Sequence, residues 1–148
     1  MSRSDTEHDI IETLGQVPSF FQDMPDDTLE HEWQEFKKFQ LTDTALTARE
    51  KHLIGLGVAA ATHCPYCTYF HRQAAGMMGA SDLQIEEAAR FASDTAKYSA
   101  YLHGLQVPLD EFKRQADEMG EYLRSHQSSG DGGSELDETL KDLRGEAA

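Results

Sequence analysis

The sequence contains no run of about 18 apolar residues, the length a membrane-crossing helix requires, so no transmembrane helix is expected. Positive charge is scarce: Lys and Arg total 13 against 27 Asp and Glu, a formal net charge of −14. Nucleic-acid backbones and anionic lipid surfaces both demand a basic face, so neither is expected as a partner. Solubility is the plain reading of such acidity; adaptation to a salty cytoplasm, where surface charge is screened, is the other. Valine and isoleucine are few while Ala, Leu, Glu, Gln and Met recur, a mixture that favours helices over strands. No internal repeat is present. The opening Met1-Ser2-Arg3-Ser4-Asp5-Thr6-Glu7 is polar and acidic and lacks a signal-peptide core, so a cytoplasmic protein is expected. Cysteine is scarcest of all: Cys64 and Cys67 are the only two. In a reducing compartment such a pair points to catalysis, redox chemistry or metal binding rather than to a structural staple.

The 148 residues suffice for one domain with a real hydrophobic core. Residues 1–125 read as a compact helical bundle of about six helices, and 126–148 as a flexible acidic tail that contains the Ser/Gly-rich stretch 128–134. Asp5 to Leu14 forms a first helix closed by Gly15. Pro25-Asp26-Asp27 opens a second, running to about Phe39, with Leu29, Trp33, Phe36 and Phe39 as an apolar stripe for the core or a subunit interface. Thr47-Ala48-Arg49-Glu50 is a capping box. The helix it starts, through Leu53-Ile54-Gly55-Leu56-Gly57-Val58 to Ala61, is apolar nearly all round, so it should be buried on most sides. Cys64 falls at the N-cap of the next helix, with Pro65 in its first turn and Gly79 at its close. Ser81-Asp82-Leu83-Gln84 caps a long helix to about His103, with a break expected near Ser93-Asp94-Thr95. A last helix spans Leu109 to Leu123.

The chemistry concentrates in Cys64-Pro65-Tyr66-Cys67 and His71. On a helix, positions 64, 67 and 71 share one face. A helix N-terminus favours negative charge and depresses a thiol pKa, which by itself makes Cys64 the more acidic thiol. A thiolate attacks peroxides and disulfides, a second cysteine resolves the product, and an imidazole takes or relays the proton. The alternatives are two buried structural cysteines, or a zinc site drawing on Cys64, Cys67, His71 and either His63 or His52; a zinc site usually takes its ligands from two separated segments, and no second cysteine pair exists.

The stretch from Lys51 to His71, continued by Ala74-Ala75, the Gly79-Ala80-Ser81 turn and Glu86-Glu87-Ala88, resembles the core of the carboxymuconolactone decarboxylase superfamily, and more closely its alkylhydroperoxidase D-like branch. The likeness covers about Leu41 to Leu105. It implies an all-α fold, assembly as a homotrimer or homohexamer, and reduction of a peroxide or disulfide substrate by a dithiol or protein electron donor. No cofactor and no metal are expected. Carried over, Cys67 is the attacking thiol, Cys64 its resolving partner and His71 part of a proton relay. Two positions depart from the pattern. The family's relay begins with a glutamate twelve residues before the first cysteine, and here that position is His52, a candidate replacement base. Glu50, about 200° around the helix from it, reads as a capping acid. Tyr66 stands where the branch can carry a histidine, and can pack or donate a hydrogen bond to substrate. His63 reads as a capping or surface residue, Tyr69 and Phe70 as wall or core, and His103 as a residue that a later helix could bring near.

A thiol-dependent peroxidase or disulfide oxidoreductase in antioxidant defence is therefore the leading expectation. A decarboxylase-type lyase is the second; Arg49 and Arg72 are the nearest cations for its acidic substrate. A non-catalytic scaffold with a rigidified motif is the third. Self-association is also expected from the apolar helix 53–61 and the Leu29–Phe39 stripe, which one chain would struggle to cover.

Overall fold

The computed structural model describes residues 2–128. Among them there are seven α-helices and no strand, an all-α fold. They are α1 (Arg3–Leu14), α2 (Ser19–Gln22), α3 (Asp26–Phe36), α4 (Ala48–Ala61), α5 (Pro65–Met77), α6 (Asp82–Gly104) and α7 (Leu109–Ser128), with a short π-helical turn, Lys37–Leu41, prolonging α3. The chain divides into two compact units, Met1–Tyr98 and the part from Ser99 onward, which holds the end of α6 and α7. Most of the expected tail, from Ser129, lies outside the described residues.

Local signals set most of the helix starts. Ser2 caps α1 and Thr47 caps α4, each in a reciprocal capping box, with Asp5 and Glu50 as the returning acids. Ser81 and Gln84 exchange the same pair of bonds at the start of α6. Each such cap contributes about 1 kcal/mol. Gly15, at φ 81°, supplies the left-handed residue that ends α1.

Two apolar clusters fill the first unit. Ile10, Phe21, Leu29 and Trp33 form one, between α1, α2 and α3, with Leu14, Val17, Met24, Phe36 and Leu41 packed around them. Ile10 and Leu29 are fully buried, each worth about 1.5–3 kcal/mol. The Trp33 indole N–H donates to Asp9 at 2.8 Å, and Lys37 pairs with the same carboxylate. Arg3 ties α1 to the α2–α3 segment, through Asp26 and the carbonyls of Gln22 and Met24. The second cluster joins α4, α5 and α6 through Leu56, Ala75 and Ile85.

Four expectations need correction. The helix from Pro25 does not reach Phe39 as α-helix: the π turn inserts an extra residue, which rotates the subsequent side chains out of phase. Phe39 therefore leaves the stripe of Leu29, Trp33 and Phe36 and is 46% exposed. Helix α4 is not buried on most sides within the chain; Ile54 and Val58 are 55% and 58% exposed, while its inward face carries Ala48, His52, Leu56 and Ala59. Helix α6 runs unbroken through Ser93-Asp94-Thr95, where Thr95 returns its hydroxyl to the Phe91 carbonyl and Asp94 pairs with Lys97 one turn on. Helix α7 extends five residues beyond Leu123, to Ser128.

Candidate active site

Helices α4 and α5 run back to back, joined by Thr62-His63-Cys64. Their close approach rests on Gly55. A methyl group there would meet the His71 ring at 2.6–2.7 Å, well inside van der Waals contact, so the imidazole lies directly on the backbone of α4. His71 is thereby held beside His52, which is fully buried. Their Nδ1 atoms are 3.0 Å apart, and His52 Nε2 lies 2.8 Å from the carbonyl oxygen of Gln40.

This chain of contacts fixes the protons. A carbonyl only accepts, so His52 Nε2 must carry hydrogen. A neutral imidazole has a single N–H, which leaves His52 Nδ1 bare and makes it the acceptor. His71 Nδ1 then donates to it, and His71 Nε2 is left as an unprotonated base. Burial lowers the pKa of His52, with the Gln40 carbonyl opposing and Lys51 adding to the effect. Burial also lowers that of His71, and the neighbouring His52 pushes in the same direction. Both rings are thus neutral at pH 7. Phe70 closes one side, its ring 5.7 Å from His52 and 5.1 Å from His71.

One turn before His71, the cysteines occupy the start of α5. Cys64 is the N-cap and its sulfur accepts the Cys67 amide at 3.3 Å. The two Sγ atoms are 2.7 Å apart and both thiols are free; a disulfide would bring them to about 2.05 Å. Hydrogen bonds from the Cys67 side chain and then its amide hold the Cys64 thiol below its ordinary range. The same contact pushes Cys67 up. Of the two thiols, Cys64 is therefore the one that gives up its proton more readily.

Cys67 and His71 both line a cavity of about 570 Å³, whose other walls include Phe39, Leu46, Ile54 and Val58. Cys64 is half-buried and is not among its lining residues. The structure thus gathers His52, His71, Cys64 and Cys67 around one helix pair. It leaves the other candidates aside. Glu50 is engaged at the Thr47 cap, whose bonds hold its pKa down. Tyr69 is 71% exposed rather than wall or core, and Tyr66, 85% exposed, does not pack. His63 is exposed, with a left-handed backbone at φ 55°. His103 belongs to the second unit. Among the described residues no group of three or more His, Cys, Asp and Glu side chains is arranged to hold a metal. The Gln40 carbonyl and Lys51 were not found from the sequence: a backbone carbonyl leaves no compositional trace, and Lys51 reads as one more surface charge.

A family model described as the carboxymuconolactone decarboxylase family matches residues 26–110, more than half of the chain. The chain belongs to the carboxymuconolactone decarboxylase family. Among solved structures, the crystal structure of the alkylhydroperoxidase AhpD core from Rhodospirillum rubrum matches with a TM-score of 0.62 and 26% identity, over 73% of this chain and 82% of that one. This places the chain on the AhpD-like side of the carboxymuconolactone decarboxylase family. An uncharacterized protein in a cox locus of Paracoccus denitrificans is 39% identical over 66 residues; the match spans 45% of this chain and 60% of that relative's length. Among the described residues no helix is long and apolar enough to cross a membrane.

Proposed function

We propose that this member of the carboxymuconolactone decarboxylase family is a dithiol-dependent peroxidase, with Cys67 as the attacking sulfur, Cys64 as the resolving thiolate, and His71 as general base held by His52. The observation that carries this reading is the Cys64–Cys67 sulfur pair at the start of α5, opening through Cys67 alone onto the cavity that His71 also lines.

The division of labour follows from the two pKa directions. Deprotonating Cys67 outright would place a second negative charge beside the Cys64 thiolate. Removal of its proton as the sulfur attacks avoids that state. The bare Nε2 of His71 takes the proton while the Cys67 sulfur bonds to one peroxide oxygen and the O–O bond breaks. The proton then passes to the departing alkoxide, giving an alcohol and Cys67 sulfenic acid. Cys64, the more readily ionised thiol and already in contact, attacks the Cys67 sulfur as its thiolate. A disulfide forms and hydroxide leaves, to be protonated to water. An external dithiol reduces the disulfide by two thiol–disulfide exchanges, which restores both thiols and completes the two-electron balance. The lowered pKa suits Cys64 to the resolving role, because the more readily ionised thiol is the better placed to attack the sulfenic acid when it appears.

The test is steady-state consumption of an organic hydroperoxide with dihydrolipoamide as reductant. Wild type should turn over, Cys67→Ser should be inactive, and Cys64→Ser should complete at most one turnover and accumulate sulfenic acid at Cys67. Absence of turnover in wild type with both thiols titratable would overturn the peroxidase reading.

A further inference from the structure

Two lysines flank Phe39 at the mouth of the Cys67 cavity, in a chain whose net charge is −14. Lys51, half-buried on α4, lines the cavity; its Nζ donates to the Thr42 carbonyl at 3.0 Å and sits 5.9 Å from the Phe39 ring. Lys38 reaches the same ring, its Nζ 5.1 Å from the centroid. Neither ammonium is ion-paired with a carboxylate among the described residues. Of the acids nearest in sequence, Asp43 and Glu50 are committed elsewhere. Asp43 accepts the Ala48 amide, Glu50 closes the Thr47 cap, and Lys37, the neighbouring cation, is the one that pairs with Asp9. Glu32 and Glu35 line a separate groove of about 310 Å³ that shares Phe39 and Gln40 with the cavity.

Behind these cations the walls are apolar: Leu46, Ile54, Val58 and Ala59 lead towards Cys67 and His71. Long apolar walls with a cation at the rim and a reactive group within describe a site for an amphiphilic anion. A ligand's apolar chain is driven in by burial, and its head group gains a charge-assisted hydrogen bond from Lys51, which has no ion-pair partner among the described residues. The volume lies in the range of ordinary small-molecule sites.

We infer that the cavity binds an apolar-chain carboxylate, and, resting on the peroxidase reading above, that the physiological oxidant is a hydroperoxide of this class, its chain along Ile54 and Val58 and its head group on Lys51. Lys51 is then a specificity residue: it selects the acid over the neutral ester and takes no part in the sulfur chemistry.

The test separates the two readings by using ligands that carry no peroxide. Decanoate and methyl decanoate are titrated into the full chain by calorimetry, and alkylation of Cys67 by iodoacetamide is mapped by mass spectrometry with each ligand present. The acid should bind at least tenfold more tightly than the ester and slow Cys67 alkylation. Lys51→Met should abolish that preference, Lys51→Arg should keep it, and Lys97→Met, a lysine paired with Asp94 on α6, should leave it unchanged. Equal affinity for acid and ester, a preference that survives in Lys51→Met, binding without protection of Cys67, or no binding of either ligand would each overturn the inference and leave the thiol chemistry standing. A failed peroxidase assay alongside an intact, Lys51-dependent acid preference would overturn the peroxidase reading and leave the carboxylate site. The same comparison made with a carboxylate and an amide form of the reducing dithiol tells whether the head group belongs to the oxidant: a preference confined to the dithiol would overturn that assignment.

Discussion

At the scale of single residues, His52 is the position where this chain departs most from the pattern it resembles. Its contribution is an orientation rather than a charge. It donates to the Gln40 carbonyl and accepts from His71, and burial keeps it neutral. A glutamine there can donate its amide N–H to Gln40 and accept the His71 N–H on its carbonyl, which reproduces both bonds without a titrating group. His52→Gln should therefore retain peroxide kcat/KM within roughly tenfold, whereas His52→Leu should lose on the order of 10²-fold; equal losses in both would show that His52 itself must bind a proton. The same burial links the pair to stability. Each histidine has a folded-state pKa below the ordinary value of about 6.5, so the unfolded chain binds more protons as pH falls through that value. Stability is full above it and is lost on acidification. Thermal unfolding should show Tm falling between pH 7 and 5, less steeply in His52→Gln than in wild type. That Cys64, Cys67 and His71 share a helix face was legible in the sequence, because i, i+3 and i+7 positions coincide on any helix. The partnership of His52 with His71 was not, since it depends on the crossing of α4 and α5.

At the scale of elements, the capping boxes and Pro65 were readable because each acts within four residues. The π turn after α3 was not, because no residue type between Lys37 and Leu41 demands it. It carries Gln40 to His52 and Phe39 to the cavity mouth. Gly55 shows the same limit from the other side. Its absence of a side chain was visible, but the tenant of the space was not. Gly55→Ala puts a methyl carbon where the His71 ring sits, and the ring is closed in by Phe70 and His52. Overpacking of this kind costs about 1–3 kcal/mol. The variant should lose most of its peroxide kcat while keeping the far-ultraviolet circular dichroism of the wild type. Gly57, whose added methyl would make only ordinary contacts at 3.6 Å, should accept alanine with little change in either measurement.

At the scale of the whole molecule, fold class followed from composition and periodicity because helices obey local rules, but exposure did not. Hydropathy alone buries α4 almost entirely, whereas a single chain leaves Ile54 and Val58 open to the cavity. Further apolar side chains stay exposed in each unit: Leu83 and Phe91 on α6 in the first, Phe112 and Met119 on α7 in the second. Such surface is usually covered by association. Light scattering on the purified protein at micromolar concentration should give a mass several times the 16.6 kDa of one chain, and a monomer would refute this. The strongly negative charge should also make encounter with an acidic electron-donor protein slow and salt-accelerated, and with a basic one fast and salt-slowed.

The π turn, finally, is a matter of counting. One residue more than an α-helix needs separates α3 from the segment leading to α4, and that surplus aims a peptide carbonyl at an imidazole. A loss of one codon anywhere in 37–41 would leave every side chain of the relay in the gene and let the helix close into regular α form, yet turn the carbonyl away. His52 could then adopt either tautomer, and one of the two would offer His71 a hydrogen instead of a lone pair. In this chain the histidine's tautomer and the inserted residue are tied: a deletion between 36 and 42 would leave the identities at 52, 64, 67 and 71 untouched and still cost the carbonyl that sets the direction of the relay.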